Sequence, residues 1–270
     1  MINHSFAVMI YGDSPYLTEC LDSLKIQTVE SKIYISTSTA SEYISNIAKK
    51  YGVEIFITEP GQGIAHDWNF SLQQAKTKYV TLAHQDDLYM PEYAASCFAA
   101  AEKFNDTLIC FTGYNEIVGK MERSNTLLLR VKRFMLWFFM PFKKNIRGKF
   151  WKKFLLSTGC PIAAPSIMYN LENLSGFGFS NEFSINMDWD AWYRMAMRKG
   201  RFVYISDIHL KHRIHSGSAT SSGLKANLRQ SEDLKMFKRF WPGFLARLLA
   251  KFYARSYKSN EDKQPDKIIS

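Results

Sequence analysis

In the first half of the chain, short apolar runs alternate with polar turns. Residues 6–11 (FAVMIY), 32–36, 53–58, 79–83 and 108–114 each read as a buried strand. Between them the apolar positions fall at helical spacing. Leu17, Cys20, Leu21 and Leu24 mark a helix over 16–27, and 41–51 reads as a second helix closed by Gly52. Residues 64–75 and 91–104 supply two more. Strands alternating with helices at these spacings predict an α/β fold with a Rossmann-like, mainly parallel sheet flanked by helices. Such sheets bind ligands in the crevice outside the carboxyl ends of their strands. The fourth strand runs straight into His84-Gln85-Asp86-Asp87 at one of those ends.

Beyond residue 118 the pattern changes. Residues 120–153 hold eleven Lys/Arg against one acid, Glu122, and residues 225–270 hold eleven against five acids. The chain carries a net charge of +10 from 35 basic and 25 acidic residues, so the remainder, 13 basic against 19 acidic, nets −6. Both basic segments are also rich in large apolar groups, FMLWFFMPF in the first and FKRFWPGFLARLLAKFY in the second. In the second, Phe237, Phe240, Phe244, Leu245, Leu248 and Phe252 form a helical stripe that Pro242-Gly243 divides into two helices. Basic charge beside Trp and Phe suits a helix lying on an anionic membrane surface, although the same stripe could cover the protein's own core. No zinc-finger, helix-turn-helix or RNP-like pattern accompanies the charge, so no nucleic-acid partner is expected. The most apolar stretch, 134–142, is far short of the ~20 residues that span a bilayer.

The four cysteines form no CxxC pair and read as small core residues of a reducing compartment. The N-terminus lacks a basic start and reads as a strand, not as a signal peptide, and the last dozen residues read as a disordered tail.

Three clusters could carry chemistry. Asp86 and Asp87 repel each other unless a cation or hydrogen-bond donors offset the charge, and hard divalent cations favour such carboxylates; an Asp that turns the chain or caps a helix is the plainer reading. Asp188 falls at the start of the helix read from the cluster 186–194 (NMDWDAWYR), where capping alone also accounts for it. Residues 212–218 (HRIHSGS) form a polar, glycine-containing loop after a strand at 202–205, able to meet a metal or a phosphate or simply to face water.

Taken in order, these pieces resemble glycosyltransferase family 2. VMIYG and LTECLDSLKIQT are similar to that family's opening strand and helix, and GQGIAHDWNFSLQQAKTKYVTLAHQDDLYMP to its glycine loop and DXD region. LSGFGFS, MDWDAWYRMAMRKGRFVYI and RIHSGSAT look like its acceptor element, catalytic-base helix and closing loop. The resemblance implies a GT-A fold. Residues 1–118 would be the donor-binding half, 119–156 a basic, aromatic helical insertion and 157–222 the acceptor and base half. Amphipathic basic helices over 223–258 and a tail over 259–270 would follow.

Residue by residue, the resemblance makes Asp188 the catalytic base and Asp86 a metal ligand, with His215 approaching the metal, an Mn²⁺ or Mg²⁺ ion. Tyr11, Thr37, Gly63, Asn69, His84, Asp86 and Asp87 would meet the donor, and Gly176, Phe177 and Trp189 would lie on the acceptor side. Four positions depart from the family pattern: His84 replaces the first Asp of the DXD motif, Ser36-Thr37 an Asp pair after the second strand, Trp68 an Arg, and Gly61 an Asn. The implied reaction is an inverting transfer from a nucleotide-diphosphate sugar to a hydroxyl of a glycan or lipid-linked acceptor. Its setting would be bacterial cell-surface polysaccharide synthesis in the cytoplasm, at the inner face of the membrane. The departures leave open a non-catalytic sugar-nucleotide-binding module or a partner of another transferase. A nucleotidyltransferase would need a Gly-rich, Lys/Arg-bearing loop after the first strand, and Gly12-Asp13-Ser14-Pro15 is not one.

Overall fold

The computed structural model describes residues 3–140, 144–215 and 224–261. The chain opens with β1 (His4–Ile10), α1 (Leu17–Lys25), β2 (Lys32–Thr37), α2 (Glu42–Tyr51), β3 (Glu54–Ile57), α3 (Ile64–Gln73) and β4 (Tyr79–His84). Each end lies within two residues of the expected bound. On α2 both expected ends are present: the Ser41 hydroxyl accepts the Ile44 N–H at 3.1 Å, and Gly52 turns left-handed at φ 62°.

There follow β5 (Leu88–Tyr89), α4 (Tyr93–Ala101), β6 (Thr107–Val118), β7 (Met121–Arg123), α5 (Leu127–Phe139), β8 (Asn145–Ile146) and α6 (Lys149–Leu156). After a 3₁₀ turn at Ala164–Ser166, β9 (Ile167–Asn170), α7 (Met187–Ala196), β10 (Arg201–Arg213), α8 (Leu224–Lys238) and α9 (Gly243–Glu261) complete the chain. Pro242-Gly243 does divide the C-terminal helices, and α9 runs to Glu261, past the start of the expected tail; residues 262–270 lie outside the described ones.

One sheet in the order β3-β2-β1-β4-β9-β6-β10-β5 organises these elements. β1 pairs in parallel with β2 and β4, β2 with β3, and β6 with β10. The expected α/β sheet flanked by helices is present, with one local difference: β9 inserts antiparallel between β4 and β6, and β5, β7 and β8 also add antiparallel pairs. β10 is much longer than the strand expected at 202–205. A bulge between Ile205 and Ile208 re-aims its second half across β6, and only glycine fits opposite, because a Cβ on Gly113 would lie 2.8 Å from the Ser206 carbonyl oxygen.

The sheet separates two apolar layers. Phe6, Leu21, Ile35, Tyr89 and Cys97 belong to one, with α1, α2 and α4; Ala7, Val80, Leu155, Trp189 and Phe237 belong to the other. The second layer draws on both ends of the chain, so residues 1–118 and 157–222 share a core. Cys20, Cys97 and Cys110 are buried free thiols in the first layer, and the half-buried Cys160 packs against the second.

Candidate active site

The site is built where β4 ends. β5 pairs antiparallel with β10, Tyr89 opposite Leu210 and Leu88 opposite Lys211. Continuing that register sets Asp87 against His212 and Asp86 against Arg213. The expected polar loop at 212–218 is therefore a strand end at His212 and Arg213; its later residues, 216–218, lie outside the described ones.

The two adjacent carboxylates have different jobs. Asp87 is fully buried, with His212 Nδ1 2.9 and 3.2 Å from its two oxygens and the Arg213 N–H donating to it at 2.8 Å. Burial alone would raise its pKa, but His212, His84 and that N–H hold it below the ordinary carboxylate range. Burial likewise pulls His212 down, yet the Asp87 charge and hydrogen bond outweigh it and set His212 at about 9. The buried Arg213 fixes the turn itself, donating to the Asp86 carbonyl at 2.9 Å and to Glu19 at 2.6 Å over the Tyr16 ring.

Asp86 is left at the mouth. One of its oxygens lies 2.8 Å from His215 Nε2, whose ring packs 5.2 Å from that of Tyr16. His84, Asp86 and Asp87 each offer a ligand atom within 4.8 Å of the others. Burial lowers the His84 pKa against the pull of Asp87 and Asp86, and its Nε2 has no hydrogen-bond partner. Two of the motif departures touch: Trp68 packs edge-on to His84 at 5.4 Å and to Phe179 at 4.9 Å.

Asp188 lies in the first turn of α7, half-buried. One oxygen accepts the Trp189 N–H at 2.6 Å, and the other faces Cys160 Sγ at 4.0 Å. Burial raises its pKa; the Trp189 N–H and the charges of Lys132, Arg229 and His84 oppose the shift. The charges of Asp86 and Asp188 both pull the His84 pKa upward, against its burial.

The start of α7 is fixed from α8. Glu232 accepts the N–H groups of Ser184, Ile185 and Asn186 at 2.8, 2.8 and 2.9 Å, and the Asn186 carboxamide donates to Asp233 at 2.7 Å. Sequence reasoning singled out neither acid.

The other expected contacts divide. Tyr11 stands exposed at the end of β1 and Gly63 opens α3 at φ 89°. Thr37 is buried, its hydroxyl accepting from the Thr39 N–H at 3.0 Å, so it shapes the strand end. Asn69 spends its carboxamide on the Phe179 backbone, donating at 2.9 Å and accepting at 2.6 Å, which ties α3 to the acceptor-side loop. Gly176 and Phe177 lie in that loop, Phe177 beneath the Arg194 and Arg198 guanidinium groups. Trp189 differs from expectation. It is fully buried against Phe237, Phe240 and Tyr253, with its indole N–H on the Leu156 carbonyl at 3.0 Å, and is a core residue, not an acceptor contact.

Sequence reasoning also missed Asp67. It accepts from the Ser38 hydroxyl at 2.8 Å beside the end of β2, and its other oxygen is buried without a partner. A carboxylate from α3 thus stands near where the Asp pair after β2 is lacking.

The second basic segment packs partly on the protein's own core and leaves part of its apolar stripe exposed. Phe237 is buried, Phe240, Trp241 and Leu249 pack on the core, and Arg239 pairs with Asp190 and Glu182; Phe244, Leu248 and Phe252 remain exposed. Among the described residues no helix is long and apolar enough to cross a membrane.

Comparison with known proteins gives the family and the fold. Residues 5–168 match the family described as Glycosyl transferase family 2. An uncharacterized glycosyltransferase of Methanocaldococcus jannaschii is 24% identical over 206 residues, covering 74% of this chain and 66% of the relative. One of Rickettsia bellii is 23% identical over 254 residues, covering 90% of this chain and 33% of the relative. The chain thus spans a third to just under two thirds of those relatives' length. The fold is similar to TarS 1–349 of S. aureus in complex with UDP-GlcNAc, with a TM-score of 0.64 at 14% identity over 96% of this chain and 73% of that one. It is also similar to the mannosyltransferase PcManGT from Pyrobaculum calidifontis in complex with GDP-Man and Mn²⁺, with a TM-score of 0.54 at 12% identity over 93% and 69%.

Proposed function

The chain belongs to glycosyl transferase family 2 and has a GT-A fold, and on that premise we propose that it transfers a sugar from a nucleotide-diphosphate donor to an acceptor hydroxyl, with inversion. The observation that carries this reading is Asp86 at the end of β4, grouped with His84 and Asp87 and 2.8 Å from His215, together with a second carboxylate, Asp188, whose pKa burial raises in the first turn of α7. The bond between the anomeric carbon and the diphosphate oxygen breaks, and its electron pair leaves with the diphosphate. The acceptor oxygen forms the new bond from the opposite face and gives its proton to the Asp188 oxygen that is not held by Trp189. General-base help of this kind gives ~10²–10⁴-fold, and burial brings the base closer to its working pH. A single displacement inverts the anomeric centre.

Asp86, with His84 and His215, offers the oxygen and nitrogen donors that suit a divalent ion, and the unpartnered His84 Nε2 fits such a role. Bound there, Mn²⁺ or Mg²⁺ would neutralise the charge gathering on the departing diphosphate. Asp87 stays out of the reaction, its oxygens taken by His212 and Arg213, and holds the turn that aims Asp86.

The proposed acceptor is a glycan or a lipid-linked hydroxyl at an anionic membrane surface, in the assembly of a bacterial surface polysaccharide, with the protein peripheral on the inner face of the cell membrane; the basic, aromatic segments support the membrane part of this reading. The test is Asp188→Asn assayed against a panel of nucleotide sugars. Transfer should fall at least ~10²-fold with the donor-induced thermal shift unchanged; near-wild-type turnover would refute the assignment.

A further inference from the structure

Helix α5 is apolar on two sides. Leu129 and Leu136 face the core, while Leu127, Val131, Phe134 and Phe138, at steps of four, three and four, form a second stripe with Trp137 that is 47–64% exposed. A helix covered by water on its outer side carries polar groups there. On α6 the usual arrangement is reversed: Lys152 is fully buried, donating to the carbonyls of Arg198 and Gly200 at 2.8 Å each, while Phe150 and Trp151 are 69% and 56% exposed. Ring contacts join the two helices into one surface, from Phe138 to Phe139 at 5.1 Å, Phe139 to Phe154 at 4.9 Å and Phe154 to Phe150 at 5.9 Å. Contiguous exposed apolar patches of this kind mark interaction sites.

Charge identifies the occupant. Residues 123–156 contain no Asp or Glu. Several of their cations are internal: Arg133 donates to the Tyr114 carbonyl and Lys152 is buried, so Arg130 and Lys149 are the exposed charges on these helices. An aromatic face edged by cations and free of acids complements the interface of an anionic bilayer, where Trp and Phe settle at headgroup depth. Two copies meeting through this face would oppose like charges.

We propose that the outer faces of α5 and α6, centred on Phe134, Trp137, Phe150 and Trp151, are the surface by which this protein lies on an anionic membrane. The inner sides of the same helices back the site. Lys132 of α5 donates to the Tyr114 hydroxyl at 3.0 Å and its charge acts on Asp188, while the last carbonyl of α6, on Leu156, holds the Trp189 indole. An acceptor anchored in that bilayer therefore reaches Asp188 along these helices. This last step rests on the transferase reading; the docking does not.

The test is flotation of the full chain with phosphatidylcholine vesicles, with and without phosphatidylglycerol. Wild type should float with the phosphatidylglycerol vesicles, and added salt should weaken it. The variant Phe134→Ser/Trp137→Ser/Phe150→Ser/Trp151→Ser should lose at least about tenfold in partitioning, with its melting temperature and nucleotide-sugar thermal shift unchanged. If that variant fails to fold, Arg130→Glu/Lys149→Glu should lose binding to phosphatidylglycerol vesicles specifically. Wild type that stays soluble at low salt, variants that float like wild type, or a dimer dissociated by the serine variant without vesicle binding would each overturn the docking face. Flotation with no response to any nucleotide sugar would uphold the docking and sink the transferase reading instead.

Discussion

His212 Nδ1 lies 2.9 Å from one oxygen of the buried Asp87, across 125 residues of sequence. That contact separates two adjacent acids that the sequence presents as equals: Asp87 is a buried strut, while Asp86 is partly exposed and pairs with His215.

Asp87→Asn should therefore cost stability, because it removes the buried carboxylate that pairs with His212 and accepts the Arg213 N–H. The loss should be about 3 kcal/mol, the low end for a broken buried pair since His212 is itself partly exposed. Asp86→Asn should leave urea unfolding nearly unchanged. Equal losses in the two variants would contradict the division.

Asp188 must be ionised to accept a proton, and burial raises its pKa. The rate should thus fall as pH drops through a midpoint above the ordinary carboxylate value of ~3.9, by about tenfold per pH unit on the acid limb. A kcat/KM profile with no acid limb down to about pH 4 would argue against Asp188 as the base.

Asp233 is pushed up to about 6 by burial, against the Asn186 hydrogen bond and the Arg229 charge, from an ordinary value of 3.8. The native state holds that proton more tightly than the unfolded chain, so this group's ionisation removes stability as pH rises from about 4 to about 6. Asp233→Asn should stabilise the protein at pH ~7.5 by at most about 3 kcal/mol, and the gain should vanish near pH ~4. Melting curves at the two pH values check this; a gain that grew on acidification would have the wrong sign.

Glu232 accepts three successive N–H groups just before α7. Glu232→Gln should lower stability by about 1.5–3 kcal/mol and reduce transfer by letting Asp188 shift, with donor binding retained. Parallel measurements of kcat and donor affinity separate these effects. Weakened donor binding with normal turnover would place Glu232 in a different role.

Much of the fold was legible because its strands and helices announce themselves by spacing. β9 was not: Ile167–Asn170 is four residues long, follows a proline-containing turn, and enters the sheet only by pairing with β4 and β6. Within the site, Asp86 and Asp188 stand at element ends that periodicity can locate. Their supports cannot be read that way, since His212, Arg213 and Glu232 acquire their roles through pairing and packing between distant segments. Lys152 and Trp189 mislead for the same reason. A lysine in a basic run looks solvated, and a tryptophan beside a candidate base looks like a sugar platform, yet both are fully buried and committed to backbone carbonyls.

The most direct test of the central claim is a thermal-shift titration of wild type and Asp86→Asn with uridine, thymidine and guanosine diphosphate sugars, with and without Mn²⁺. At a hundredfold excess over Kd, a bound donor adds about 2.7 kcal/mol, enough to raise Tm by several degrees. At least one nucleotide sugar should stabilise wild type, do so more strongly with Mn²⁺, and leave Asp86→Asn unmoved by the metal. A wild type indifferent to every donor, or an Asp86→Asn variant that responds to donor and Mn²⁺ as wild type does, would contradict it.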